Sequence, residues 1–252
     1  MNHSSSGLGL ATALHLLSKG AYVSILDLNP PPSDALPASR KYIFTNTNVT
    51  SSDSIAAAIK ATAEWSETTH APLGGIIACA GIGNPELILP KGDLQSLNTF
   101  DRVIAVNLRG TVDLLRQALP ILSKVEPEQP DGERGVVVLV SSVAAYEGQV
   151  GQVAYSASKG AIASIVLPLA RELSRVGIRA VGIAPGVFES GMTLRGSMKA
   201  GAPPGMVEFP RRMGRGEEFA GMVGQCLENG MVNGTVVRLD AGARFPARLG
   251  KL

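Results

Sequence analysis

Short runs rich in valine and isoleucine recur along this chain, and longer amphipathic stretches separate them. A strand that is apolar on both sides has no solvent face, so it needs cover above and below, and the helices of βαβ connections supply it. The alternation therefore constrains the chain to a mostly parallel sheet between two helical layers, a doubly wound three-layer α/β domain. Strands are predicted over 22–26, 42–45, 75–79, 136–140, 179–183 and 235–239, and helices over 8–18, 52–65, 97–123, 155–176 and 217–228. With 252 residues, 45% of them hydrophobic, residues 1–252 are expected to form a single domain around one core.

Punctuation agrees with these boundaries. Pro30, Pro31 and Pro32 continue neither a strand nor a helix, so the chain must turn there. The charged stretch 126–134, with Pro127 and Pro130, reads as a solvated loop. The segment 186–214 is rich in glycine, proline and methionine and lacks periodicity. Long loops in compact domains are usually lids or binding loops, so a substrate loop is expected over about 187–213. Met192, Met198 and Met206 suit a flexible apolar pocket there, and equally plain packing.

Formal net charge is +2, from 23 basic and 21 acidic residues spread along the chain. No concentrated field exists to recruit nucleic acid or an anionic membrane, which leaves a small-molecule substrate as the expected partner. Cys79 and Cys226 lie in apolar stretches, where a free thiol acts as a small hydrophobe in a reducing compartment. His3, His15 and His70 are scattered without carboxylates or thiols at ligand spacing, so no metal is expected. The longest uninterrupted apolar runs fall short of the roughly 20 residues of a membrane span. The opening Met-Asn-His-Ser-Ser-Ser has neither the basic nor the apolar region of a secretory signal, and an intracellular location, cytoplasmic or mitochondrial, is expected.

Two ends of the domain carry chemistry. Gly7-Leu8-Gly9 precedes an amphipathic helix, where glycines let backbone N–H groups approach a pyrophosphate at the positive helix end. Asp27 ends a strand-like run at the distance where a carboxylate accepts hydrogen bonds from the adenosine ribose hydroxyls. Its charge would repel a 2′-phosphate, which favours NAD over NADP. The same residues are also those of an ordinary turn and a strand end.

At the other end, Tyr155-Ser156-Ala157-Ser158-Lys159 places a phenol and an ammonium on one face of a helix. A tyrosine titrates near ~10, and proton transfer near neutrality asks for a downward shift of about 3 units, roughly 4 kcal/mol of phenolate stabilisation. A lysine in a partly dry cleft is expected to supply much of it, which would let the phenol exchange a proton with a secondary alcohol. Ser142 follows the apolar run at 135–140, at the carboxyl end of a predicted parallel strand, where its hydroxyl could polarise the same substrate oxygen. Asn107 lies inside a helical pattern, where asparagine is mildly unfavourable unless it has another task, such as holding a water that links Lys159 to solvent. Each of these residues alone also reads as a cap or as surface; the ordered set does not.

In that order the residues resemble the short-chain dehydrogenase/reductase superfamily. The stretch from Ser142-Val143-Ala144-Ala145-Tyr146-Glu147-Gly148-Gln149 to Tyr155-Ser156-Ala157-Ser158-Lys159-Gly160, with Ile183-Ala184-Pro185-Gly186-Val187-Phe188 and Val237-Arg238-Leu239-Asp240, is similar to the type-2 3-hydroxyacyl-CoA dehydrogenases, also called type-10 17β-hydroxysteroid dehydrogenases. The likeness runs from Ser6 to about Ala243. It implies that Tyr155 is the acid/base, Lys159 its partner and a ribose contact, Ser142 the donor to the substrate oxygen and Asn107 a water anchor. Gln149 lines the substrate cleft. NAD is the implied cofactor, held by Ser6, Gly7, Leu8 and Gly9, by Asp27, Asn48 and Val49, by Cys79, Ala80 and Gly81, and by Pro185, Gly186, Phe188 and Ser190. The resemblance further implies a homotetramer acting on hydroxyacyl thioesters, hydroxysteroids or similar secondary alcohols.

Departures from that pattern set further expectations. Relatives open with an apolar strand and a Thr-Gly pair; here Asn2 and His3 stand in the places of that pair, and the strand does not precede them. Either another segment fills the middle of the sheet, the neighbours close up, or the sequence is truncated, and truncation is the expectation; an unfilled position would leave an open apolar seam. Asn48 replaces an aspartate at the adenine, where its side-chain carbonyl is expected still to accept, and Ala78 replaces a bracing asparagine. The alternatives are an interaction protein that has lost its cofactor, and a biosynthetic ketoreductase or isomerase acting on a polycyclic substrate.

Overall fold

The structure, a computed structural model, describes residues 7–37, 41–89, 94, 96–189 and 206–244. Ser6 and Ser190, both assigned to the cofactor by resemblance, lie outside them, as do Asn2, His3, Met192 and Met198.

Strands and helices alternate as the periodicity predicts. Helix α1 (Gly7–Ser18) leads into β1 (Val23–Asp27) and, beyond the prolines, β2 (Tyr42–Asn46). Helix α2 (Ser52–Thr69) and β3 (Gly75–Ala78) follow. Ser51 caps α2 by accepting the Ser54 N–H, and the helix outruns its predicted end until His70, at φ 54°, closes it in the left-handed region.

The region predicted as one helix is interrupted. It divides into α3 (Leu97–Ile104), a π-helical turn (Ala105–Arg109) and α4 (Gly110–Leu122). At the junction α4 presses on the chain after β2. A Cβ on Gly110 would stand 2.7 Å from the Val49 carbonyl oxygen, so only glycine allows the approach.

Beyond the loop lie β4 (Gly135–Val140), a 3₁₀ turn (Val143–Ala145), α5 (Val153–Leu173), β5 (Ile178–Pro185), α6 (Gly216–Glu228) and β6 (Val236–Leu239). Every residue of β4 and β5 is buried: β4 is an unbroken apolar run, and the one charge in β5, Arg179, is paired with Glu133. Their side chains alternate between two cores. Val137, Leu139 and Ala180 meet Ile162 and Val166 of α5 on one face, while Val136, Val138, Val181 and Ile183 meet Phe219 and Val223 of α6 on the other.

By length and composition α5 with its 3₁₀ extension, Val153–Val176, would suffice to cross a membrane; its mean hydropathy is 1.4. Polar residues punctuate the helix, so its apolarity does not show as an unbroken apolar run. Ile162, Val166, Ala170 and Leu173 form its buried stripe against the sheet, which packs one face of the helix into the core.

All strand pairs are parallel, yet they make two sheets: β1 with β2, and β3-β4-β5-β6 in that order. Between them lies an apolar cavity of about 620 Å³, lined by residues 23–26 of β1, by Gly75–Ala78 of β3, and by α1, α2 and α4. The expected seam is present. Among the described residues no strand fills it, and β1 and β3 have not paired with each other.

Candidate active site

Parallel strands end on the same edge of a sheet, so residues distant in sequence share one rim. Asp27 closes β1, Asn48 and Val49 follow β2, Cys79 to Gly81 follow β3, Ser142 follows β4, and Pro185 to Phe188 end β5. Tyr155 and Lys159 enter this rim from the first turns of α5.

The four residues expected to carry the proton chemistry come together. Tyr155 shares a side-chain hydrogen bond with Ser142, whose oxygen also accepts the Ala144 N–H at 3.1 Å and so caps the 3₁₀ turn. Lys159, 4% exposed, donates from Nζ to the Val140 carbonyl at 2.8 Å and lies 5.9 Å from the centre of the Tyr155 ring. Asn107 exchanges two bonds with the Ile82 peptide: its Oδ1 accepts the N–H at 2.8 Å and its Nδ2 donates to the carbonyl at 2.9 Å. The same Nδ2 donates to Ser158 Oγ at 3.0 Å, and Ser158 donates to the Tyr155 carbonyl at 2.7 Å.

Lys159 and Asn107 converge on Gly81. A Cβ there would lie 3.2 Å from Lys159 Nζ and 3.5 Å from Asn107 Oδ1. Asn107 is thus a brace, with both N–H directions of its amide engaged. Only the remaining lone pair of Oδ1 is open to the expected water. The π turn that carries this side chain is a device frequent at functional sites.

One electrostatic expectation is reversed. Desolvation raises the Tyr155 phenol above its ordinary 10, and the Ser142 hydrogen bond opposes this only in part. The expected acidification by lysine is not realised, because the ammonium sits over the ring and donates to the Val140 carbonyl. Burial lowers Lys159 itself from 10.5 to about 8. Cys79 is pushed up to about 12 by burial, against the pull of Lys159, and stays a neutral thiol.

The dinucleotide rim is assembled in part as read. Helix α1 begins at Gly7, whose φ is 55°, and Gly9 is buried. Asp27 is buried at the β1 terminus, where Oδ1 accepts the Asn29 N–H at 3.2 Å. A helix N-terminus, the Gly81 cradle that a Cβ would fill, and a carboxylate at the end of β1 together fit a dinucleotide.

Other assigned side chains make contacts within the chain. The Asn48 carbonyl, expected to face adenine, accepts from the Thr50 N–H at 3.0 Å and its hydroxyl at 2.8 Å. The Phe188 ring is buried edge-on against Phe219 at 6.1 Å, and Leu8 and Cys79 pack against the same cluster. Gln149 is half-buried beside Gln152, whose Oε1 accepts its N–H.

Sequence reading missed two members of the site. Ser158 links Asn107 to the Tyr155 carbonyl, and its position three residues after Tyr155 was the available signal, since helical serines commonly bond backward to such a carbonyl. Ser141 donates to the Lys159 carbonyl at 2.7 Å and left no sequence signal, because that contact is made by the packing of β4 on α5.

Residues 4–199 match the family model for short chain dehydrogenase. The chain belongs to the short-chain dehydrogenase family. This short-chain dehydrogenase is 40% identical over 248 residues to 3-hydroxyacyl-CoA dehydrogenase type-2 of Rattus norvegicus, a match covering 95% of this chain and 92% of the rat protein. The crystal structure of 3-hydroxyacyl-CoA dehydrogenase type-2 from Mycobacterium avium is similar at TM-score 0.85 and 34% identity, covering 97% of this chain and 94% of that one. A 3-ketoacyl-(acyl-carrier-protein) reductase from Brucella melitensis, complexed with NADH, shares the fold at TM-score 0.80 and 23% identity, with 96% of each chain covered. As a short-chain dehydrogenase, the protein is an oxidoreductase acting on CH–OH groups.

Proposed function

We propose that this enzyme interconverts a secondary alcohol and a ketone with NAD(H), Tyr155 carrying the proton, on substrates such as 3-hydroxyacyl-CoA thioesters or hydroxysteroids. The observation behind this reading is the Tyr155 hydroxyl, bonded to Ser142 at the carboxyl rim with the buried ammonium of Lys159 behind it. When bound, the nicotinamide supplies the hydride acceptor or donor. Ser142 orients the substrate oxygen toward the phenol. Tyr155, held protonated by its surroundings, is ready to donate to a carbonyl oxygen as it gains charge. In the alcohol-oxidising direction it must first give up that proton to act as the base.

Asp27 would accept the ribose hydroxyls and repel a 2′-phosphate, so NAD is the cofactor this reading favours. Val112, Val153 and Leu167 expose apolar surface on α4 and α5, which supports assembly as a homotetramer; a sedimentation mass of a single chain would remove that part of the reading.

The test is a fluorescence titration with NADH and NADPH, joined to turnover of acetoacetyl-CoA and a 17-ketosteroid. Tyr155→Phe should lower turnover by at least about 100-fold while NADH affinity changes less than about twofold. Turnover equal to the parent's would overturn the assignment. Asp27→Ala should narrow the preference for NADH over NADPH; unchanged selectivity would remove the ribose role.

A further inference from the structure

On the Gln149 side of the site, four charged side chains among the described residues form a network. Arg238 of β6 donates from Nη1 to Glu147 Oε1 at 2.7 Å, from Nε to Asp240 Oδ2 at 2.8 Å and from Nη2 to the Ala243 carbonyl at 3.2 Å. Arg244 reaches the same Glu147 and Asp240 oxygens, at 3.4 Å each. The Arg238 guanidinium also stands 5.5 Å from the centre of the Tyr146 ring. The side chains of Asp240 and Glu147 are only 9% and 20% exposed, so these pairs are screened less than surface ones. The Arg238 guanidinium is engaged along both nitrogen branches, which makes a bracket of it rather than a ligand for substrate charge.

The bracket joins three segments of chain. Glu147 ends the turn that starts at Ser142, its N–H bonded to the Val143 carbonyl. Asp240 packs on Gly186, where a Cβ would lie 2.9 Å from its own. Ala241 accepts the Phe209 N–H at 3.2 Å and packs with Val187, Met206, Val207 and Met213. The wall bearing Ser142 and Gln149 is thereby tied to the base on which residues 206–213 rest.

We propose that Arg238 is a positioning residue for the substrate: through Glu147 it holds the 142–149 wall in register with the 206–213 segment, and so sets affinity for the oxidisable alcohol or reducible ketone without touching the reacting atoms. This role rests on the proposed alcohol–ketone chemistry at Tyr155. The test uses the full chain with NADH and acetoacetyl-CoA or a 17-ketosteroid, whichever the parent reduces. Arg238→Met and Glu147→Gln should each raise KM by about tenfold, with kcat within about threefold and NADH affinity within about twofold. The double variant should be no worse than the worse single, the sign of one shared interaction. Arg238→Lys, which keeps the charge but spans the two carboxylates less well, should fall between and covers the case in which Arg238→Met does not fold. Unmoved KM, additive effects, or an equal loss of NADH affinity would reduce the network to scaffolding and overturn the proposal. A parent chain that reduces neither ketone would instead sink the catalytic reading, and the positioning role with it.

Discussion

Tyr155 and Lys159 show how far a motif read at the residue scale carries. Their spacing specifies that phenol and ammonium share a helical face, but not which way each group titrates. That depends on burial, which holds the phenol protonated and weakens the ammonium to about 8. The pH dependence follows with a definite sign. Below about 8 Lys159 is charged in the folded enzyme and supports the site; above it the charge is lost while Tyr155 keeps its proton. Reductive kcat/KM should therefore fall by one-proton titration above pH about 8, and Lys159→Met should lack that limb; an identical alkaline limb in the variant would refute the assignment. Stability runs the other way. The unfolded chain holds the lysine proton until about 10.5, so the desolvation penalty is fully present below pH about 8 and is relieved as pH rises between those values. Urea midpoints of the parent measured against Lys159→Met across that interval check the direction.

Among elements, strands were the most legible, since a run as short and as fully apolar as Gly135–Val140 suits a buried strand and is too brief for a helix. The π turn was invisible, because the apolar period of α3 continues across 105–109 into α4. What inserts it is tertiary: Asn107 hooks the Ile82 peptide from one side while Gly110 meets Val49 on the other. Gly110→Ala tests that contact. Alanine would gain up to about 1 kcal/mol of helix propensity, but its Cβ meets a backbone oxygen that cannot turn away. Overpacking should dominate, with a net loss of about 1–3 kcal/mol in denaturant unfolding. A midpoint at or above the parent's would show that α4 is free to slide.

For the whole molecule, the decisive feature is the seam. Strands β4 and β5 pair on both edges inside the core, whereas among the described residues β1 pairs with β2 alone and faces the cavity of about 620 Å³ on its other side. The β1–β2 sheet is thus held mainly by its helices, and local opening there should be cheaper. Native-state hydrogen exchange should show amides of β1 and β2 opening at least about 2 kcal/mol more easily than those of β4 and β5. Equal protection would mean that the two sheets behave as one. Periodicity, turn chemistry and motif spacing are local, so the strands, most of the helices, the Tyr155–Lys159–Ser142–Asn107 set and the expectation of a seam could be read from neighbouring residues. That the phenol is raised rather than lowered, that the Phe188 ring packs in the core, that the Asn48 carbonyl is engaged by Thr50 and that Arg238 brackets three segments came only with the packed chain. Each of these depends on which atoms a distant part of the chain brings within a few ångströms and on how much water that leaves, and neither is a function of neighbouring residues.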